Sequence, residues 1–144
     1  MGRCKGQIDG KYNIYMTIGR GQFAKYDCER WYRVKLGQDM ETMEWCAIKI
    51  MKDINSLEKL EKFMNEARLL SLCSEPNIVR MRAVSIAGTL VNQAGHKRNI
   101  VYHVTCYAMY GELYQLIKDT GCFSERLART YFLQLLKGMC GTIH

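Results

Sequence analysis

Residues 18–24 of this sequence read I-G-R-G-Q-F-A and are of the types that can hold a phosphate group. They join two predicted strands, which argues against the dinucleotide-binding fingerprint and the Walker A loop, because both of those open a helix. Glycines let the backbone approach a phosphate closely, so that N–H groups donate to its oxygens. The stretch therefore predicts a phosphate lid, and an ordinary glycine-rich turn stays open as the alternative.

A lysine and a glutamate further along the chain could act on the same ligand. Lys49 lies on the inward-looking face of a predicted strand, between Ala47 and Met51, where an unpaired ammonium is costly to desolvate. Glu66 lies on a predicted helix, at the margin of the apolar stripe of Phe63 and Leu70. We expect Lys49 and Glu66 to pair. The alternatives are a lysine that extends to solvent and a surface pair between Glu66 and Lys62.

Periodicity and turn residues predict an antiparallel sheet around these side chains. Its five strands are residues 12–18, 34–36, 45–51, 78–86 and 99–105. A turn is expected at residues 37–39, and a polar loop is expected at residues 88–98. In the third strand Lys49 and Ile48 face opposite sides.

One amphipathic helix of four to five turns is predicted between the third and fourth strands. Asn55 is its expected N-cap, because Glu58 follows three residues later and apolar residues then recur at helical spacing. Two more helices follow the fifth strand, one from Glu112 and a longer one after Ser124, which is its expected N-cap. Together these elements predict an α+β fold.

The order and spacing of several motifs resemble the N-lobe of a protein kinase domain. The motifs are I-G-R-G-Q-F-A at 18–24, A-I-K at 47–49, N-E-A at 65–67 and P-N-I-V at 76–79. Residues 107–113 resemble the hinge, and residues 123–129 resemble the lead-in to the long C-lobe helix. The pattern is most similar to Ser/Thr kinases of the calcium/calmodulin-dependent and energy-sensing group.

This resemblance implies a domain plan. Residues 1–11 would be a polar tail, residues 12–106 the N-lobe, and residues 107–144 the hinge and first helices of a truncated C-lobe. The N-lobe would hold a five-stranded antiparallel sheet and one αC-type helix.

The resemblance also implies which residues hold ATP. Lys49 and Glu66 would orient the phosphates as an ion pair. Ile18 and Ala47 would enclose the adenine, and Thr105 would be the gatekeeper. The full implied set is Ile18, Gly19, Gly21, Phe23, Ala24, Val34, Ala47, Lys49, Thr105, Cys106, Ala108 and Glu112.

The remaining roles in that set belong to the hinge and the glycine loop. The backbone of Cys106 and Ala108 would bond the adenine edge, Glu112 would reach the ribose, and the loop would cover the phosphates. No metal ligand is assigned in this chain, and Mg²⁺ is expected only for the complete kinase.

Two features depart from the family pattern. If residues 26–33 are removed, Lys25 joins Val34 and the stretch reads G-Q-F-A-K-V-K-L-G, which matches the kinase loop pattern and so predicts an insertion. Either a retained intron in the translation or a real bulge in the loop would explain this insertion. The sequence also ends at His144 before the H-R-D, D-F-G and A-P-E motifs, so the catalytic base is absent and the fragment is expected to be catalytically incompetent.

Composition indicates where in the cell the chain is expected to lie. Its formal charge of +7 is scattered, and its seven cysteines form no C-x-x-C pair, which favours reduced thiols in the cytoplasm. No run of apolar residues is long enough to predict a transmembrane segment. Gly2 and Cys4 leave lipid anchoring open, although Gly6 stands where that motif has Ser or Thr.

We therefore interpret the chain as the ATP-binding portion of a Ser/Thr protein kinase that phosphorylates proteins. Two alternatives stay open. One is a non-catalytic nucleotide-binding or scaffold remnant. The other is a basic α+β module for nucleic acid, suggested by aromatic residues near basic ones, such as Trp31 and Tyr32. The chain contains no recognisable nucleic-acid motif, so we expect no nucleic-acid partner.

Overall fold

The computed structural model describes residues 3–20, 32–51 and 55–140. The strands in this part of the chain are β1 (Gly6–Ile8), β2 (Tyr12–Arg20), β3 (Tyr32–Asp39), β4 (Trp45–Met51), β5 (Met81–Asn92) and β6 (Lys97–Cys106). The helices are α1 (Leu57–Leu72), α2 (Leu113–Thr120) and α3 (Glu125–Cys140). The predicted α+β class is confirmed, and the bounds predicted for the third strand are those of β4.

The prediction of a five-stranded sheet is wrong, because six antiparallel strands close into a barrel in the order β1-β2-β3-β4-β6-β5. The additional strand, β1, lies within the stretch predicted as a polar tail, and it pairs with both β2 and β5. A Cβ atom on Gly6 would lie 2.5 Å from the carbonyl oxygen of Val91, so glycine permits this close approach. A strand of three residues carries too little periodicity to be recognised in a sequence.

The hairpin of β5 and β6 replaces the polar loop predicted at residues 88–98. Its strands continue to Asn92 and resume at Lys97. Gly88 lies inside β5, where a Cβ atom would come 2.3 Å from a ring carbon of Tyr102. The loop prediction was wrong because a glycine required by packing looks, in a sequence, like a turn signal.

Two local predictions were also wrong. Residues 37–39 form no turn, because they pair with β2 on one side and Gly37 also pairs with Cys46 of β4. Helix α1 is capped by Ser56 instead of Asn55, and the Ser56 Oγ accepts a hydrogen bond from the N–H of Lys59 at 3.4 Å.

Apolar side chains pack on both sides of the barrel wall. Inside the barrel, alternate residues of the strands form one core, which includes Ile8, Ile48 and Val104. On the outer face of β4 and β6, Phe63 of α1 packs with Met51 and Val101 in a second cluster. This second cluster holds α1 against the sheet.

The last two helices begin where the sequence predicts. Glu112 is the N-cap of α2, and the Ser124 Oγ accepts a bond from the N–H of Leu127 at 3.4 Å. In α3, Gly138 is buried against residues Asn77 and Ile78 of the segment before β5. Among the helices described, none has the length and apolar character needed to cross a membrane.

Candidate functional site

An ion pair between a buried lysine and a partly exposed glutamate joins the centre of the sheet to helix α1. The Lys49 Nζ lies 2.8 Å from the Oε1 and 2.6 Å from the Oε2 of Glu66, so one ammonium donates to both carboxylate oxygens. Lys49 is 8 % exposed, and the Glu66 side chain is 40 % exposed. Charge-assisted bonds of this kind compensate the ammonium for the water it has lost.

Strand alternation and helix packing explain how the two side chains meet. Ile48 points into the barrel, so the prediction that Lys49 faces inward is wrong. Lys49 points out of the barrel, to the face that α1 covers. Phe63 anchors α1 on this face, and Glu66 follows it by three residues, nearly one helical turn. The position of Glu66 over Lys49 therefore depends on how Phe63 packs.

An aromatic ring from β3 also contacts the ammonium. The Lys49 Nζ lies 3.8 Å from the centroid of the Tyr32 ring and 5.8 Å from that of the Phe63 ring, distances at which cations and aromatic rings attract. Burial first, and the Glu66 carboxylate second, raise the pKa of Tyr32 above its usual value. Lys49 is thus enclosed by one carboxylate and two rings.

His103 was not predicted as a site residue, and it lies on β6 directly opposite Lys49. It is 3 % exposed, its Nε2 lies 3.6 Å from the Glu66 Oε1, and its ring centroid lies 4.9 Å from that of Phe63. The signal was available, because His103 precedes Thr105 by two residues and so shares its face of the strand.

Glu66 remains ionised well into the acid range. The neighbouring imidazole of His103 is the largest influence on its carboxyl and lowers the pKa. Burial raises the pKa, and the hydrogen bond and charge of Lys49 lower it again, which leaves it at about 2. The carboxylate is therefore charged near neutral pH, as an ion pair requires.

The sheet register brings several of the implied nucleotide residues onto this outer face. Val34, Lys49 and His103 form one cross-strand row, and Ala47 pairs with Thr105 in the next row. These residues line one continuous patch of the sheet, because strands are spaced about 4.8 Å apart.

The glycine loop is described only in part. Ile18 and Gly19 lie near the end of β2, and Gly19 pairs with Val34. Gly21, Phe23 and Ala24 lie outside the described residues. So do residues 26–31 of the predicted insertion, whereas its last two residues, Tyr32 and Arg33, begin β3.

The segment after β6 holds the other implied contacts. The N–H of Cys106 donates to the carbonyl of Arg80 at 3.0 Å, and the carbonyl of Ala108 accepts from the N–H of Gly111 at 3.2 Å. Glu112 makes no side-chain capping bond and is exposed. These backbone contacts hold the segment in one conformation beside the patch.

Metal-ligating side chains are not clustered in the described ranges 3–20, 32–51 and 55–140. No group of three or more His, Cys, Asp or Glu residues there could hold a metal ion. In these ranges the polar side chains at the centre of the site are Lys49, Glu66 and His103.

The sequence of this chain is similar to those of known protein kinases. The family model described as protein kinase domain matches residues 12–144. The chain is 36 % identical over 132 residues to CBL-interacting protein kinase 33 of Oryza sativa subsp. japonica, covering 90 % of this chain and 25 % of that protein. It is 32 % identical over 132 residues to CBL-interacting serine/threonine-protein kinase 8 of Arabidopsis thaliana, covering 90 % and 26 %.

A mammalian serine/threonine-protein kinase is also similar to this chain. The chain is 30 % identical over 131 residues to the serine/threonine-protein kinase SIK1 of Rattus norvegicus, covering 90 % of this chain and 15 % of that protein. The chain thus spans about a quarter or less of the length of these curated relatives.

Proposed function

This chain belongs to the protein kinase domain family, and from that premise we propose that it is the ATP-binding portion of a Ser/Thr protein kinase. The complete form would transfer the γ-phosphate of ATP to Ser or Thr hydroxyls of proteins. Its partners would be ATP and a protein substrate, without nucleic acid, and its setting would be the cytoplasm.

The observation that carries this proposal is the ion pair of the buried Lys49 with Glu66. A lysine held by a helix glutamate on the outer face of the sheet is the arrangement that orients ATP phosphates in kinases. An ammonium has three N–H donors, and Glu66 takes two of them, which leaves one for a phosphate oxygen. The pair therefore fits a phosphate ligand.

The sheet face beside this pair suits the rest of the nucleotide. Ile18 and Ala47 would enclose the adenine, and Thr105 would border it as gatekeeper. Because the Cys106 N–H and the Ala108 carbonyl already have partners, we assign the adenine edge to the Cys106 carbonyl and the Ala108 N–H. ATP itself would supply the phosphoryl group.

Three groups complete the proposed contacts. The Glu112 carboxylate, which makes no cap, would reach the ribose. Val34 would cover the adenine from β3. Gly19, with Gly21, Phe23 and Ala24, would cover the phosphates through backbone N–H groups.

Phosphoryl transfer needs side chains that these residues do not include. The 144 residues contain no H-R-D, D-F-G or A-P-E motif, whose aspartates supply the base and hold Mg²⁺. We therefore propose that this polypeptide alone binds ATP without transferring phosphate, and that Mg²⁺ acts in the complete kinase.

A fluorescent ATP analogue tests the proposal by titration. Lys49→Met should weaken binding at least about tenfold, which corresponds to about 1.4 kcal/mol. Lys62→Met is the matched control, because Lys62 also bonds a glutamate at 2.6 Å but is exposed on α1. It should change the affinity less than about twofold. Equal losses in both variants, or no binding by the unaltered chain, would contradict the proposal.

The same titration separates the alternatives. Binding without any phosphorylation by a chain extended through the missing motifs would favour a nucleotide-binding remnant. A steep salt-dependent affinity for oligonucleotides, without an effect of ATP, would favour a nucleic-acid module.

A further inference from the structure

His103 is a buried polar residue without an assigned role in the proposed nucleotide site. It is 3 % exposed, and neither ring nitrogen has a hydrogen-bond partner within the described part of the chain. A buried polar atom left without a partner destabilises the folded state by about 1–3 kcal/mol, so an apolar side chain at this position would make the fold more stable. Its presence therefore requires a compensating interaction.

The Glu66 carboxylate lies close enough to the His103 ring to supply that interaction. On one side its ring packs against the ring of Phe63, which offers no hydrogen-bond acceptor in its plane. On the other side Nε2 lies 3.6 Å from the Glu66 Oε1. Hydrogen bonds of this type are at most about 3.2 Å long, so a movement of about half an ångström would form one.

Each of the strands β3, β4 and β6 supplies one group to the Lys49–Glu66 pair. Lys49 of β4 donates to both carboxylate oxygens, and the ring of Tyr32 of β3 lies 3.8 Å from the ammonium. His103 of β6 faces only Oε1. Lys49 by itself can follow the carboxylate as α1 moves, since its stem is flexible. A second, rigid donor on a neighbouring strand would fix the carboxylate in place.

We propose that His103 is a positioning residue for Glu66, in which the Nε2–H donates to the Glu66 Oε1 and fixes the carboxylate, and with it helix α1, over Lys49. This inference deepens the proposed function and rests on it. With His103 in place, Glu66 is held from both β4 and β6, and the Lys49 ammonium is presented to a phosphate in one orientation. Without His103, Glu66 is held by Lys49 alone.

The low pKa of Glu66 agrees with this role, because the neighbouring His103 imidazole is the largest influence that lowers it. The test is therefore a direct titration of Glu66 by the ¹³C shift of its carboxyl carbon in the nucleotide-free chain. His103→Leu should raise the pKa of Glu66 by about one unit, since one stabilising donor is lost. His103→Gln, whose amide N–H can reach the same oxygen, should restore the low value.

Nucleotide affinity gives the second measurement. His103→Leu should weaken binding of the ATP analogue about fivefold to tenfold, that is about 1.0–1.4 kcal/mol, and His103→Gln should recover most of it. His96→Leu, an exposed histidine at the β5–β6 turn, is the matched control and should leave both measurements unchanged. An unchanged Glu66 titration in His103→Leu overturns the inference.

A measurement on the unaltered chain keeps the inference testable if the leucine variant does not fold. A long-range ¹H–¹⁵N spectrum of the His103 ring should show the proton on Nε2. A proton on Nδ1 alone overturns the inference. The Glu66 titration needs no nucleotide, so failure of ATP binding with a normal His103 effect refutes the proposed function alone.

Discussion

The barrel with helix α1 and the pair of helices α2 and α3 differ in how they bury apolar side chains. In the barrel, Ile48 is 0 % exposed and packs among residues from the surrounding strands. In α3, Gly138 is the buried residue, and Phe132 is 58 % exposed. Both regions have strong apolar patterns in sequence. The comparison teaches that a periodic pattern predicts an element, whereas burial depends on what the fold places against it.

The strongest test of this comparison removes one apolar side chain from each region. Ile48→Ala should destabilise the chain by about 2–5 kcal/mol, because it leaves a cavity in the barrel core. Leu135→Ala on the exposed face of α3 should change the free energy of unfolding by less than about 0.5 kcal/mol. Urea unfolding of both variants measures the difference. Equal losses would mean that α3 is packed as tightly as the barrel.

A glycine substitution in each region should act with opposite sign. Gly88→Ala should destabilise by about 1–3 kcal/mol, because its Cβ would overlap the Tyr102 ring. That ring is hard to move, since the Tyr102 hydroxyl donates to the Asp9 Oδ2 at 2.7 Å.

Gly138→Ala is the counterpart in α3. Its Cβ would meet the nearest atom, the Asn77 carbonyl oxygen, at 3.4 Å, which is close to ordinary contact. Alanine favours helix over glycine, so the variant should be more stable by about 0.5–1 kcal/mol. Thermal melts of the two variants should therefore shift in opposite directions, and a shared direction would break the comparison.

A further small effect is the acid dependence of the Lys49–Glu66 pair. The pKa of Glu66 is lowered from 4.5 to about 2 in the folded chain, so its contribution is present above about pH 4.5 and is lost as the pH falls towards 2. The advantage of the unaltered chain over Glu66→Gln should shrink across that range, by about 1 kcal/mol because the carboxylate is partly exposed.

Glu125→Gln in α3 is the control for that measurement. Glu125 pairs with Arg129 at 3.0 Å, but both side chains are exposed, and such pairs contribute little. Urea midpoints measured from pH 6 downward should therefore show the difference for Glu66→Gln only. A parallel loss with Glu125→Gln would indicate general acid unfolding instead of loss of the Lys49–Glu66 pair.

Local sequence patterns predicted individual strands and helices, but they did not predict that the strands close into a barrel. Apolar alternation predicted β4 and placed Lys49 opposite Ile48, and capping residues predicted where α2 and α3 begin. The family resemblance, including its similarity to the calcium/calmodulin-dependent and energy-sensing group, is confirmed by the match over residues 12–144 and by the Ser/Thr kinase relatives. The roles of the individual nucleotide residues stay predictions.

The sequence by itself determined the elements whose signals are local: alternation in β4, the helical stripe of α1, and the motif order that identifies the family. The tertiary structure alone decided the barrel, because β1 is closed onto β5 by residues more than 80 positions apart. It also decided the place of His103, whose nearness to Glu66 depends on strand register and on the packing of α1. Contacts between distant segments arise from backbone pairing and side-chain shape, which leave no local periodicity in a sequence.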